Sequence, residues 1–179
     1  MRRPVDADRI RAFMAALGRA AHSAQTVYLV GGATAVLEGW RGTTIDVDIA
    51  LGDGDAADEL LRAIPAIKDE LELNVELASP ADFVPVPGGW KERSGSVARE
   101  GAVTFLHFDP YSQALAKLER AHDSDLADVR EMLARGLVER DRLYRFYEEI
   151  EPELYRYPAI DPGSFRRRVE AITRVSGTP

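Results

Sequence analysis

Two carboxylates separated by a single residue, Asp46 and Asp48, are the part of this chain whose type and spacing could do chemistry. They stand in the run Thr44-Ile45-Asp46-Val47-Asp48-Ile49. That run is rich in β-branched residues and reads as a strand. Side chains two apart on a strand point to the same side. The two acids then share one face, and Ile45, Val47 and Ile49 turn to the core behind them. Two acids on one face repel each other, and a cation between them relieves the repulsion. Oxygen ligands on a rigid support suit Mg²⁺ better than a softer metal.

The elements before the acids fit a site of this kind. Thr26 to Val30 is a short apolar run that reads as a buried strand. It ends at Gly31-Gly32, and a helical pattern with Ala33, Val36 and Leu37 follows, with Gly39 as its C-cap. Glycine lets the backbone approach a ligand, and a helix start offers amide groups to an anion. Gly31, Gly32 and the Thr34 hydroxyl would make a cradle for nucleotide phosphates. Gly-Gly alone is equally a tight turn; the acids downstream favour the cradle. Arg41 could pair with a phosphate or stand on the surface. Thr44, two before Asp46, shares its face or simply favours the strand.

The rest of the chain reads as follows. Asp6 or Asp8 caps a first helix carrying Ile10, Phe13, Met14 and Leu17. Gly52 to Asp55 is a turn leading to a helix over 56–64, which Pro65 interrupts. Leu71 to Leu77 alternates as a strand, with Glu72, Asn74 and Glu76 on its polar face. A loop rich in Pro and Gly holds Trp90 and Arg93, either a base clamp or a packing anchor. Strands over 94–99 and 102–108 turn at Glu100-Gly101, giving a mixed sheet of about five strands. Helices follow from Asp109-Pro110, from around Asp125, from Glu139 and from Asp161-Pro162. The last carries Arg166, Arg167 and Arg168, a basic run open to RNA or an acidic partner, or simply solvated.

A strand, Gly-Gly, a short helix and Asp-Val-Asp on a strand resemble the signature of the DNA polymerase β-type nucleotidyltransferase superfamily. The Arg41…Thr44…Asp46 approach resembles the AbiEii-type toxin nucleotidyltransferases and related small bacterial proteins. The resemblance covers about residues 5 to 135. It implies an α/β (α+β) fold, with a nucleotidyltransferase core over 1–108 and a C-terminal helical region over 109–179 packed on it. It implies a third carboxylate on the strand after the Asp-x-Asp hairpin, best matched by Glu76 and next by Glu72. Glutamate stands here where aspartate is common. The segment L-A-K-L-E-R…S-D-L-A-D-V resembles one in which a lysine helps hold the triphosphate and a later acid is needed for activity. Carried over, these are Lys117 and Asp125, with Asp128 beside it. The segment departs in its shorter gap and in Ser124, which replaces a basic residue. Asp125 as an N-cap and Asp128 at the third helical position account for the same acids structurally. As a gripping residue on an open helix face, Lys117 could become alanine at little cost in stability.

The implied activity is Mg²⁺-dependent transfer of a nucleoside monophosphate from an NTP, with one or two ions held by Asp46, Asp48 and Glu76. The acceptor could be tRNA, a protein or a small molecule, and an antitoxin is a possible partner. Rival readings are a nucleotidyltransferase-like binding protein without chemistry and an aminoglycoside-type adenylyltransferase. The net charge of −7 argues against broad binding to nucleic acid, and no DNA partner is expected. Cysteine is absent, which excludes disulfides and thiolate metal sites and fits a cytoplasmic protein. His22, His107 and His122 are scattered and show no zinc spacing. No run is apolar enough to span a membrane.

Overall fold

A computed structural model describes residues 3–53 and 57–174. The chain forms two compact units. One takes residues 1–79 and 94–108, the other 80–93 and 109–179. The chain therefore leaves the first unit, returns to it for one hairpin, and leaves again.

The first unit is a mixed α/β body. Helix α1 (Ala7–Ala20) starts where Asp6 accepts a hydrogen bond from the Arg9 N–H at 2.9 Å. Then come β1 (Gln25–Val30), α2 (Gly31–Leu37), β2 (Val47–Leu51), α3 (Ala57–Glu70), β3 (Val75–Leu77), and, after the excursion, β4 (Gly95–Glu100) and β5 (Val103–His107). The five strands lie in the order β3-β2-β1-β5-β4. β1 runs antiparallel to β2 and parallel to β5. β3 is parallel to β2, and β4 antiparallel to β5. Val27, Leu29, Val47, Ile49, Val75, Val103 and Phe105 bury one face of the sheet with Ile10, Phe13, Met14 and Leu17 of α1. Leu60, Ile64 and Ile67 of α3 join that core. Each such side chain contributes about 1.5–3 kcal/mol by leaving water. The mixed five-stranded sheet expected from the sequence is present.

Three local expectations change. Pro65 does not end α3, which runs on to Glu70. The apolar stripe Leu60, Ile64, Ile67 continues through the proline, and its burial outweighs one lost backbone bond. The strand expected from Leu71 begins only at Val75, because Glu72 turns the chain with a φ of 51°. Ile45 does not face the core: it precedes β2 and is 79% exposed. Asp55 and the first residue of the helix expected at 56 lie outside the described residues.

Both edges of the sheet have local cover. On β3, the Lys68 ammonium donates to the Val75 carbonyl at 3.0 Å. On β4, the pairing with β5 is irregular between Ser96 and Ala98.

The second unit is helical. It holds α4 (Trp90–Arg93), α5 (Pro110–Arg120), α6 (Asp123–Ala134), α7 (Arg140–Ile150) and α8 (Pro162–Thr173), with 3₁₀ turns at Pro80–Asp82 and Glu151–Arg156. Tyr147 packs edge-on against Phe165, and Tyr111 against Phe146. Among the described residues no helix is long and apolar enough to cross a membrane.

Candidate active site

The acids expected to matter most sit where β2 and β3 begin. The parallel register places Val47 beside Val75 and Asp48 beside Glu76. Neighbours across a sheet share a face. Asp48 and Glu76 therefore lie together, opposite the core face of Val47 and Ile49. Asp46 lies one residue before β2, and Asn74 one residue before β3. The Val47 N–H donates to the Asn74 carbonyl at 2.8 Å, so the main chain fixes where Asn74 stands. Its amide nitrogen donates to Asp46 Oδ1 at 2.5 Å and to Glu76 Oε1 at 3.2 Å. Asn74 thus links the first acid to the third. Glu72, the second choice for a third carboxylate, sits in the turn before β3 rather than on its acid face.

Gly31 and Gly32 open α2 beside this patch. Val30 pairs with Asp48 across β1 and β2. Gly31 has a φ of 57°, and a Cβ on it would stand 3.0 Å from Asp48 Oδ2. A Cβ on Gly32 would stand 2.1 Å from Thr44 Oγ1. Only glycine lets the α2 start close on Asp48 and Thr44 in this way. Thr44 is itself held by paired backbone bonds to Val5, at 2.7 and 2.8 Å. Arg41, half-buried, donates its backbone N–H to the Ala35 carbonyl at 3.2 Å.

The Thr34 hydroxyl points inward, donating to the Leu29 carbonyl at 3.0 Å. It also meets His107 Nδ1 at 3.2 Å, while His107 Nε2 stands 3.1 Å from Glu38 Oε1. Burial holds the His107 pKa below its ordinary value, and Glu38 partly opposes that. Sequence reasoning missed this cluster. Thr34 lies on α2 and Glu38 caps its C-terminus four residues on, but only the parallel pairing of β1 with β5 brings His107 to them.

Lys117, Asp125 and Asp128 come together in the helical unit. Lys117 Nζ lies 2.6 Å from Asp128 Oδ2 and 3.4 Å from Asp125 Oδ1. Arg120 reaches the same Asp125 oxygen at 2.8 Å. Asp125 Oδ2 is buried and accepts no hydrogen bond, with His122 Nδ1 3.5 Å away. The capping account of Asp125 does not hold. α6 begins at Asp123 after His122, so Asp125 is already inside the first turn and aims at Lys117 and Arg120. Lys117 is no open surface residue either: it is 5% exposed.

Arg93 is a packing anchor. It meets Asp109 through Nε to Oδ1 at 3.0 Å and NH2 to Oδ2 at 2.9 Å. It also donates to the Gly88 and Pro87 carbonyls and lies 4.3 Å from the Phe146 ring centre. The basic run on α8 is engaged inside the unit. Arg166 pairs with Glu151, Arg167 donates to Ser164, and Arg168 donates to the carbonyls of Leu118 and Glu119.

Among the described residues, no three acid or histidine side chains converge into a ready metal cage. Mg²⁺ seldom requires one: it keeps waters and takes one or two carboxylates together with substrate phosphates. Asp46, Asp48 and Glu76 supply only hard oxygen donors. The glycine start of α2 brings its backbone close to Asp48, where a side chain on Gly31 would crowd the carboxylate. This donor set fits that ion.

No curated protein and no solved structure matches the chain. Residues 8–160 match the family described as nucleotidyltransferase of unknown function (DUF6036). With most of its length inside that match, and a mixed sheet carrying Gly-Gly beside paired acids, the chain belongs to this nucleotidyltransferase family.

Proposed function

We propose that the protein transfers a nucleoside monophosphate from an NTP to an acceptor hydroxyl with the help of Mg²⁺. The observation that carries this reading is the meeting of Asp48 with Glu76 across β2 and β3, beside the side-chain-free start of α2. Asp46, Asp48 and Glu76 would hold one or two ions, which when bound neutralise phosphate charge and favour the ionised acceptor. The side-chain-free backbone at Gly31 and Gly32, close to Asp48, supports a phosphate cradle beside the acids. Arg41, shortly after α2, would supply a cation for the phosphates. The acceptor oxygen forms a bond to the α-phosphorus, the bond to the β-phosphate oxygen breaks, and pyrophosphate leaves. Glu76 takes the acceptor's proton.

For Lys117, Asp125 and Asp128 the AbiEii-type resemblance supports a role toward the triphosphate. The orphaned Asp125 oxygen, with Arg120 alongside, supports a polar donor arriving there. The same resemblance supports tRNA as acceptor and an antitoxin as partner, in a cytoplasmic toxin–antitoxin pair. A second reading, a nucleotide-binding protein with weak or no chemistry, draws on Glu76 where aspartate is common and on Ser124 in place of a basic residue.

Incubation with each α-labelled NTP, Mg²⁺ and either total RNA or lysate tests these readings. Label on RNA, on protein or on a small molecule supports transfer and names the acceptor class. NTP binding without any labelled product supports the second reading.

A further inference from the structure

Four polar side chains stand at the head of β2 and β3: Asp46, Asp48 and Glu76 are acids, and Asn74 is an amide. The place of Asn74 is set by main chain, through the Val47 N–H on its carbonyl. From that place its Nδ2 reaches Asp46 Oδ1 at 2.5 Å and Glu76 Oε1 at 3.2 Å. A carboxamide N–H end offers two donors and carries no net charge. Here both donors are spent on carboxylates. The amide nitrogen therefore sits between two acids, where a cation would also be most stabilised.

We propose that Asn74 is a built-in competitor for the divalent cation. In the metal-free protein its amide holds Asp46 and Glu76 together and relieves their repulsion. An ion seated between Asp46 Oδ1 and Glu76 Oε1 must displace the amide from at least one of those two oxygens. This inference rests on reading Asp46, Asp48 and Glu76 as a cation site. An aspartate at 74 would add another negative charge to the patch. Alanine would leave the acids facing each other with no donor between them. Asparagine keeps the patch ordered without metal and lowers its affinity for metal at the same time.

Mn²⁺ alone, titrated with the free ion followed by electron paramagnetic resonance, tests this on the full chain. Asn74→Ala should bind Mn²⁺ about tenfold more tightly than wild type, the worth of the hydrogen bonds to charged groups that no longer compete. It should also melt lower than wild type without metal and regain most of the difference in excess Mg²⁺. Asp48→Asn should bind more weakly than wild type. Equal or weaker binding by Asn74→Ala, with wild-type binding intact, overturns the role of Asn74 and leaves the cation site standing. No binding by wild type overturns both. If Asn74→Ala fails to fold, the wild-type protein still decides the matter. The Asn74 side-chain amide signals should shift during a Mg²⁺ titration and lose protection from exchange. Signals that stay fixed while Mg²⁺ binds overturn the proposal.

Discussion

Lys117 Nζ lies 2.6 Å from Asp128 Oδ2, and both side chains are almost sealed from water. A buried pair of this kind is costly to break, because the partner left behind is an uncompensated charge. Lys117→Ala should therefore destabilise the fold by about 3–5 kcal/mol, not the small amount expected for a lysine on an open helix face. Urea unfolding of Lys117→Ala measures it, and a cycle of Lys117→Met, Asp128→Leu and the double variant isolates the pair. The double variant should be more stable than the sum of the single losses predicts. Strict additivity would mean that the two side chains do not sustain each other.

Asp48→Asn should abolish Mg²⁺-dependent transfer and leave the melting temperature of the metal-free protein unchanged or slightly higher. It keeps the shape of the side chain and removes one of two neighbouring negative charges. Wild type in saturating Mg²⁺ should gain stability, about 2.7 kcal/mol at a hundredfold excess over Kd, and the variant should gain almost none. Thermal melts with and without Mg²⁺ give both readings. Severe unfolding of the variant would make the acid structural.

His107 makes a pH-dependent contribution whose sign follows from its lowered pKa. Burial pushes it below the ordinary 6.5, with Glu38 pulling back. The unfolded chain then binds the proton more readily than the folded one. Stability from this group is whole above about pH 6.5 and falls as pH drops through that value toward the lowered one. His107→Gln cannot titrate, so its unfolding free energy should change less than that of wild type below pH 6.5. Denaturant titrations at stepped pH test this, and equal slopes would dismiss it.

Arg93 and Asp109 flank the segment 94–108 that forms β4 and β5. Asp109 is fully buried and also caps α5 through the Tyr111 and Ser112 N–H groups. Arg93→Ala should cost about 3–5 kcal/mol by leaving that carboxylate without its cation. Arg93→Lys should recover only part of the loss, since an ammonium cannot form the paired contact of a guanidinium. Chemical denaturation of the two variants ranks them, and equal stability of Arg93→Ala and wild type would refute the assignment.

The sequence shows its sheet through period and punctuation, and its acids through their spacing. Asp48 and the Gly-Gly start of α2 were legible because strand and helix signals there agree, whereas Asp46, expected on the same strand, stands in the bend just before β2. Glu76 was legible from alternation, though its strand proved shorter: the left-handed Glu72 is a backbone event that side-chain pattern does not report. Asn74 was visible only as one more polar residue on that face. Its contacts depend on the register between β2 and β3, which no local pattern encodes. The same holds for His107. Lys117 was misjudged in its surroundings because burial of a lysine depends on partners from a neighbouring helix, here Asp125 and Asp128 on α6. Pro65 is the converse case, a strong local stop signal overridden by core packing.

The edges of the sheet carry a consequence for how the protein behaves at high concentration. A long, flat, uncovered border strand is a template onto which a stray chain can zip. Here one border is three residues long with a lysine seated on its carbonyl, and the other pairs irregularly between Ser96 and Ala98 and carries Arg99 and Glu100. Fibrillar growth therefore gets little purchase on the folded molecule. Any aggregation in storage should be limited by the rate at which whole molecules unfold, so solution conditions that favour the native state should also lengthen its shelf life.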